Sequence, residues 1–212
     1  MKNIVLGVLL REIITKDGYL GNYLNGAVYD AMQGSNIEVI GIPSKSSEEV
    51  FKLCHGFVLP GGDFVDETAL DIITYADAKN LPVLGICQGM QELAVAFGAR
   101  TLLGNLKTFS EQKHFVTNTD LSIGVHDVII KQNTLLSRLF GSSLSVNSRH
   151  QQYVTKCPIS FEISAISADD VIIEGIERIN DKDYFVGVQW HPEDMIGMEG
   201  LFNDFIKRAR KQ

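Results

Sequence analysis

Four short runs of almost uninterrupted apolar residues constrain this chain most: Ile4 to Leu10, Ile37 to Ile42, Gly56 to Leu59 and Val83 to Ile86. A strand that is apolar at every position must be covered on both faces, as in a parallel sheet between layers of helices. The segments between these runs read as helices, at Tyr19–Met32, Ser47–Lys52 and Glu67–Lys79. The βαβαβαβα alternation implies right-handed crossovers and a doubly wound, mostly parallel α/β sheet with helices on both faces. Beyond about Leu121 the rhythm changes. Val125–Ile130, Leu144–Val146, Phe161–Ser167, Val171–Ile176 and Phe185–Val188 read as extra strands with little helix between them, which leaves room for antiparallel additions. Leu201–Arg210 reads as a closing helix. The 212 residues, 45% hydrophobic and 21% charged, are expected to form a single domain over 1–212.

Charge and punctuation exclude several partners. The net charge of -7 argues against a nucleic-acid backbone. No apolar run approaches the roughly 20 residues a membrane helix needs. Arg11 and Glu12 cut the N-terminal apolar run short, so a first core strand is expected there rather than a signal peptide, and a cytoplasmic location follows. The basic cluster Lys207–Lys211 suits the last turn of a helix, where the dipole favours cations. Cys54, Cys87 and Cys157 include no C-x-x-C pair and are expected to be reduced. Cys54 and His55 read as structural, and the neighbours of Cys157 suggest no chemistry. His114 and His126 fall where they could line a pocket mouth. The five histidines show no H-x-x-x-H spacing, so neither metal nor cofactor is expected.

Only Cys87 has chemistry written around it. The apolar run Val83–Ile86 leads through Cys87 into an amphipathic segment, and Gly85 and Gly89 stand two residues to either side. This is a G-x-nucleophile-x-G elbow with cysteine in the serine position. Such a turn lifts the sulfur clear of the sheet and sets it at a helix N-terminus, which favours the thiolate. Pro60-Gly61-Gly62-Asp63 forms a second glycine turn after another apolar run. Its backbone N–H groups could meet a developing oxyanion together with the N–H of Gln88. Far downstream, His191-Pro192-Glu193 follows an apolar strand and supplies a base and a carboxylate to orient it.

Leu59-Pro60-Gly61-Gly62, Gly85-Ile86-Cys87-Gln88-Gly89-Met90-Gln91 and Gln189-Trp190-His191-Pro192-Glu193 together resemble the signature blocks of class I glutamine amidotransferase domains, in order and spacing. A fourth block, Val146-Asn147-Ser148-Arg149-His150-Gln151-Gln152, resembles the γ-glutamyl hydrolase branch typified by γ-glutamyl-γ-aminobutyrate hydrolase. The resemblance implies a flavodoxin-like fold and a Cys87–His191–Glu193 triad. It also implies oxyanion donors at Gly62 and Gln88, and a γ-glutamyl subsite from Gly61, Gln91, Ser148 and His150. Gln88 departs from the Arg common after the nucleophile in that branch, and Phe97-Gly98-Ala99-Arg100-Thr101 stands where a Gly-Gly pair is typical. The expected substrate is a small γ-glutamyl compound, and a homodimer is compatible with the pattern. The rival readings are a glutaminase serving a separate synthase and a catalytically silent regulatory module.

Overall fold

A computed structural model describes residues 3–98, 103–106, 113–116, 120–180 and 182–212. Its centre is an eleven-stranded mixed sheet. The parallel part takes the order β4 (Ile37–Ile42), β1 (Ile4–Leu9), β5 (Gly56–Leu59), β6 (Val83–Ile86) and β13 (Tyr184–Val188). The sheet continues antiparallel through β12 (Ile173–Ile179), β11 (Glu162–Ser167), β8 (His126–Ile130) and β9 (Ser143–Val146). β10 (Gln152–Val154) joins β12 and β7 (Leu103–Asn105), also antiparallel. The α/β architecture expected from the apolar runs is therefore present, with antiparallel strands in the C-terminal half.

Every residue of β5, β6 and β13 is buried. Alternate side chains enter opposite layers. Val58, Leu84, Ile86, Val186 and Val188 pack with α6 (Glu199–Ala209) through Leu201, Phe202 and Phe205. Phe57, Leu59, Val83 and Phe185 instead meet α3 (Glu67–Lys79) and α4 (Gln88–Ala96) through Ile72, Ile73, Met90 and Leu93. Each fully buried Val, Leu or Phe contributes about 1.5–3 kcal/mol, so both layers are needed. Asp66 caps α3 by accepting from Thr68 N, and Asn80, with φ 57°, ends it in the left-handed conformation. Lys207 and Arg208 occupy the last turn of α6. The short α2 (Glu48–Phe51) lies within the expected Ser47–Lys52 helix.

The expected helix over Tyr19–Met32 is the main local correction. Leu20–Tyr23 is instead a strand, β3, which folds back on β2 (Arg11–Ile14). Only Gly26–Ala31 is helical (α1), and Asn25 caps it by accepting from Ala27 N. Gly18, at φ 82°, closes a turn in which Thr15 N donates to the Tyr19 carbonyl. A helical apolar spacing therefore lost to turn chemistry. The second correction is an unexpected helix, α5 (Leu135–Phe140), held by a capping box between Thr134 and Ser137. Among the described residues no helix is long and apolar enough to cross a membrane. Ala99, Arg100 and Thr101, within the departure noted above, lie outside the described residues.

Candidate active site

Cys87 sits where β6 ends and α4 begins, at the carboxyl edge of the parallel strands. Its φ of 52° and ψ of -104° are sparsely populated for a side-chain-bearing residue, and such strain costs on the order of 1–3 kcal/mol. The flanking glycines are sterically required. A Cβ at Gly89 would lie 2.0 Å from the Leu59 carbonyl oxygen, and one at Gly85 would lie 2.6 Å from the Gly89 backbone. The elbow is tied to the next strand by Cys87 N donating to the Val188 carbonyl at 2.8 Å.

β13 delivers the base. His191 Nδ1 meets Glu193 Oε1 at 2.8 Å across the one-turn 3-10 helix Pro192–Asp194, which leaves Nε2 for the sulfur. Burial opposes the imidazolium, but the Cys87 sulfur and then the Glu193 carboxylate outweigh it and raise the His191 pKa to about 10. Asn147 clamps the His191 backbone from both sides. His191 N donates to Asn147 Oδ1 at 2.8 Å, and Asn147 Nδ2 donates to the His191 carbonyl at 3.0 Å. Asn25 Nδ2 adds a 3.4 Å contact to Glu193 Oε1. Gly61 fits against the pair, since a Cβ there would lie 2.7 Å from His191 Cε1 and 3.6 Å from Cys87 Cβ.

A cleft of about 330 Å3 opens over Cys87, lined also by Gly62, Gln88, Gln91, Arg149, His150 and Gln152. Gln91 Nε2 is held by the Gln152 carbonyl at 2.8 Å and by Gln189 Oε1 at 3.1 Å, while Gln189 Nε2 contacts the Cys87 sulfur at 3.6 Å. Ser148 is placed differently: it is absent from the cleft lining, and its hydroxyl donates to the His114 carbonyl at 2.9 Å. His114 and His126 are buried away from the cleft, not at its mouth. His55 Nδ1 accepts from Val5 N, and Cys54 packs in the core. Burial pushes the Cys54 thiol up to about 12. Burial and then Glu162 push Cys157 to about 11.

Sequence reading missed the support beneath the glycine turn. Arg11, the first residue of β2, forks onto both oxygens of Glu92 at 2.8 Å and donates to the Pro60 carbonyl, and Asp66 N donates to Glu92 at 3.0 Å. Both side chains are buried. A single arginine thus fixes the 60–62 turn against α4. The available signal was a glutamate directly before an apolar helical stretch, Leu93-Ala94-Val95-Ala96, in a helix expected to pack on the sheet, which demands a buried partner.

The sequence model of the Peptidase C26 family matches residues 64–193. Among curated proteins, NtpR of Enterococcus hirae is 34% identical over 64% of this chain and 59% of its own length. The glutamine amidotransferase-like protein YvdE of Lactococcus lactis is 34% identical over 60% and 52% respectively. The CTP synthase of Methanococcus maripaludis is 29% identical over 91% of this chain and 43% of its own length. The matched region therefore spans about two fifths to three fifths of these relatives. Among solved structures, the glutaminase domain of Trypanosoma brucei CTPS with bound acivicin superposes with a TM-score of 0.72 at 16% identity, over 99% of this chain and 94% of that one, a likeness of fold. The chain belongs to the Peptidase C26 family and has the class I glutamine amidotransferase-like fold.

Proposed function

We propose that this chain is a cysteine hydrolase of small γ-glutamyl amides. The observation that carries the reading is the convergence of Cys87, on a strained elbow, with a His191–Glu193 pair clamped by Asn147. The Cys87 thiolate attacks the γ-carbonyl, and the backbone N–H groups of Gly62 and Gln88 take the oxyanion. His191 protonates the leaving amine as the C–N bond breaks, leaving a γ-glutamyl thioester. Water then loses a proton to His191, attacks the thioester carbonyl and releases glutamate and the thiolate. The free N–H groups of the first turn of α4 favour the negative charge in both steps.

The cleft wall supports an α-amino acid head group. Among the described residues it carries one carboxylate, Asp63, and one guanidinium, Arg149, which is paired with Asp194 at 2.5 Å. Asp63 suits the α-ammonium and Arg149 the α-carboxylate, with Gly61, Gln91 and His150 around the γ-glutamyl chain. Ser148 acts from behind the wall through the segment that carries His114. Gln88 leaves this wall without the extra cation expected in the hydrolase branch. The second reading is a glutaminase that feeds ammonia to a separate synthase, which the similarity to CTP synthase supports.

One panel separates the readings: γ-glutamyl amides of several amines, with glutamine included, assayed for released amine. Turnover of a γ-glutamyl amide without any partner is the expected result, with Cys87→Ala lowering kcat/KM by roughly ten-thousand-fold or more. Activity confined to glutamine and dependent on an added synthase would favour the second reading. A Cys87 thiol no faster with iodoacetamide than Cys54 or Cys157 would mark a silent module.

A further inference from the structure

Four buried side chains outside the triad converge in the antiparallel half. Glu174, on β12, is fully buried. Its Oε1 lies 3.2 Å from His114 Nδ1, 3.5 Å from His150 Nε2 and 3.7 Å from His126 Nε2. The other nitrogen of each ring faces an acceptor. His114 Nε2 meets the Asp170 carboxylate at 3.1 Å, His150 Nδ1 the Gln152 carbonyl at 2.9 Å and His126 Nδ1 the Asp127 carbonyl at 3.4 Å. A carbonyl only accepts, so the single proton of a neutral His150 or His126 belongs on Nδ1 and the Nε2 lone pair faces inward. What it faces is a carboxylate, which also only accepts.

The conflict is visible in unpaired atoms. Among the described residues, His126 Nε2, His150 Nε2 and both oxygens of Glu174 have no hydrogen-bond partner, although these residues are 6%, 3% and 0% exposed. Buried acceptors gathered without a donor are strongly unfavourable. An imidazolium at His114, bridging Asp170 and Glu174, would relieve one contact and leave the His126 and His150 lone pairs bare. A cation among the four relieves them all. Ligand bonds of about 2.0–2.2 Å put neighbouring tetrahedral donors roughly 3.3–3.6 Å apart, and the three rings stand 3.2–3.7 Å from Glu174 Oε1.

We propose that His114, His126 and Glu174 form a binding site for a divalent transition-metal ion, zinc before others, with His150 as the fourth ligand. The three primary donor atoms lie within 4.8 Å of one another. Imidazoles with one carboxylate suit zinc. Asp170 and the Gln152 carbonyl are the outer partners that hold ligand rings in orientation. His150 lines the Cys87 cleft and Asp170 lines a neighbouring cleft of about 470 Å3, which gives an ion a route in. The ion is structural. Its ligands come from the 113–116 segment, β8, the 147–151 loop and β12, so it pins the loop bearing Arg149 to the antiparallel strands. With Nε2 on the ion and Nδ1 on the Gln152 carbonyl, both nitrogens of His150 are engaged, and its ring meets substrate only as a wall.

The test is titration of the metal-stripped full chain with zinc, and separately with cobalt, followed by metal analysis and thermal melting. Expected are one ion per chain, a raised Tm and the intense visible bands of tetrahedral cobalt. Glu174→Gln and His126→Asn should lose the ion, and Cys87→Ala should keep it. Absence of stoichiometric binding by the wild type overturns the proposal, whether or not the variants fold. Retention of the ion by folded Glu174→Gln and His126→Asn also overturns it. So does its loss from Cys87→Ala, which would place the metal at the triad.

Discussion

The parallel and antiparallel halves of the sheet bury polar groups in opposite ways. Around β5, β6 and β13 the strands are apolar throughout, and polar chemistry is confined to their carboxyl ends, where Cys87 and His191 emerge. In the antiparallel half, β8 alternates buried and exposed positions, while β12 carries Glu174 and Glu177 into the interior. A strand covered on both faces has no place for a side-chain charge, so function gathers at its end. A strand in the half with mixed exposure accommodates a charge wherever local donors satisfy it, as the Leu135 and Leu136 N–H groups do for Glu177.

The difference can be broken first at the support of the parallel half. Glu92→Ala leaves the buried Arg11 guanidinium without its bidentate partner and should cost about 3–5 kcal/mol, lowering Tm and loosening the 60–62 turn. Denaturant melts with kcat/KM measured alongside check this, and a change under 1 kcal/mol would dismiss the pair as the turn's anchor. In the antiparallel half, Glu177 accepts from Leu135 N at 2.7 Å and Leu136 N at 3.0 Å at the start of α5. Glu177→Gln keeps one acceptor and should cost roughly 1–2 kcal/mol of stability with kcat/KM unchanged. A fall in activity equal to that of Glu92→Ala would erase the distinction between the halves.

The smallest effect is one of pH. The folded pKa of His191, about 10, lies above its ordinary 6.5, so the fold favours the imidazolium. Its stabilising contribution is whole below pH 6.5 and is lost as pH rises through about 10. The ability to protonate a leaving amine fades over the same window. A pH profile of kcat/KM should therefore hold until near 10 and then fall about tenfold per unit, with circular dichroism confirming the fold. An alkaline limb near 7 would contradict the tight Cys87–His191–Glu193 coupling.

Much of the fold could be read directly, because buried parallel strands announce themselves as apolar runs: the strands Val83–Ile86 and Gly56–Leu59, and the helix Glu67–Lys79 between them, are observed with the expected bounds. The Tyr19–Met32 reading failed because Tyr19, Leu20 and Tyr23 mimic a helical face while Gly18 turns the chain back on β2. The α5 helix was missed because its six residues are too few to display a period, and its capping box and Glu177 do the nucleating. Of the candidate site residues, Cys87, Gly62, Gln88, Gln91 and His150 meet at one cleft, Gly61 packs against Cys87 and His191, and Ser148 stands behind the wall.

The sequence by itself determined the elements whose information is local. The glycines around Cys87 and the i, i+2 pair His191 and Glu193 lie within a few residues of the atoms they position. Only the tertiary structure decided what long-range packing brings together: Arg11 under the Pro60 turn, Asn147 around the His191 backbone, and three histidines on Glu174. Those partners come from separate strands and loops, where no spacing rule applies. Burial, which turns a polar residue into a demand for a partner, exists only once the chain is packed.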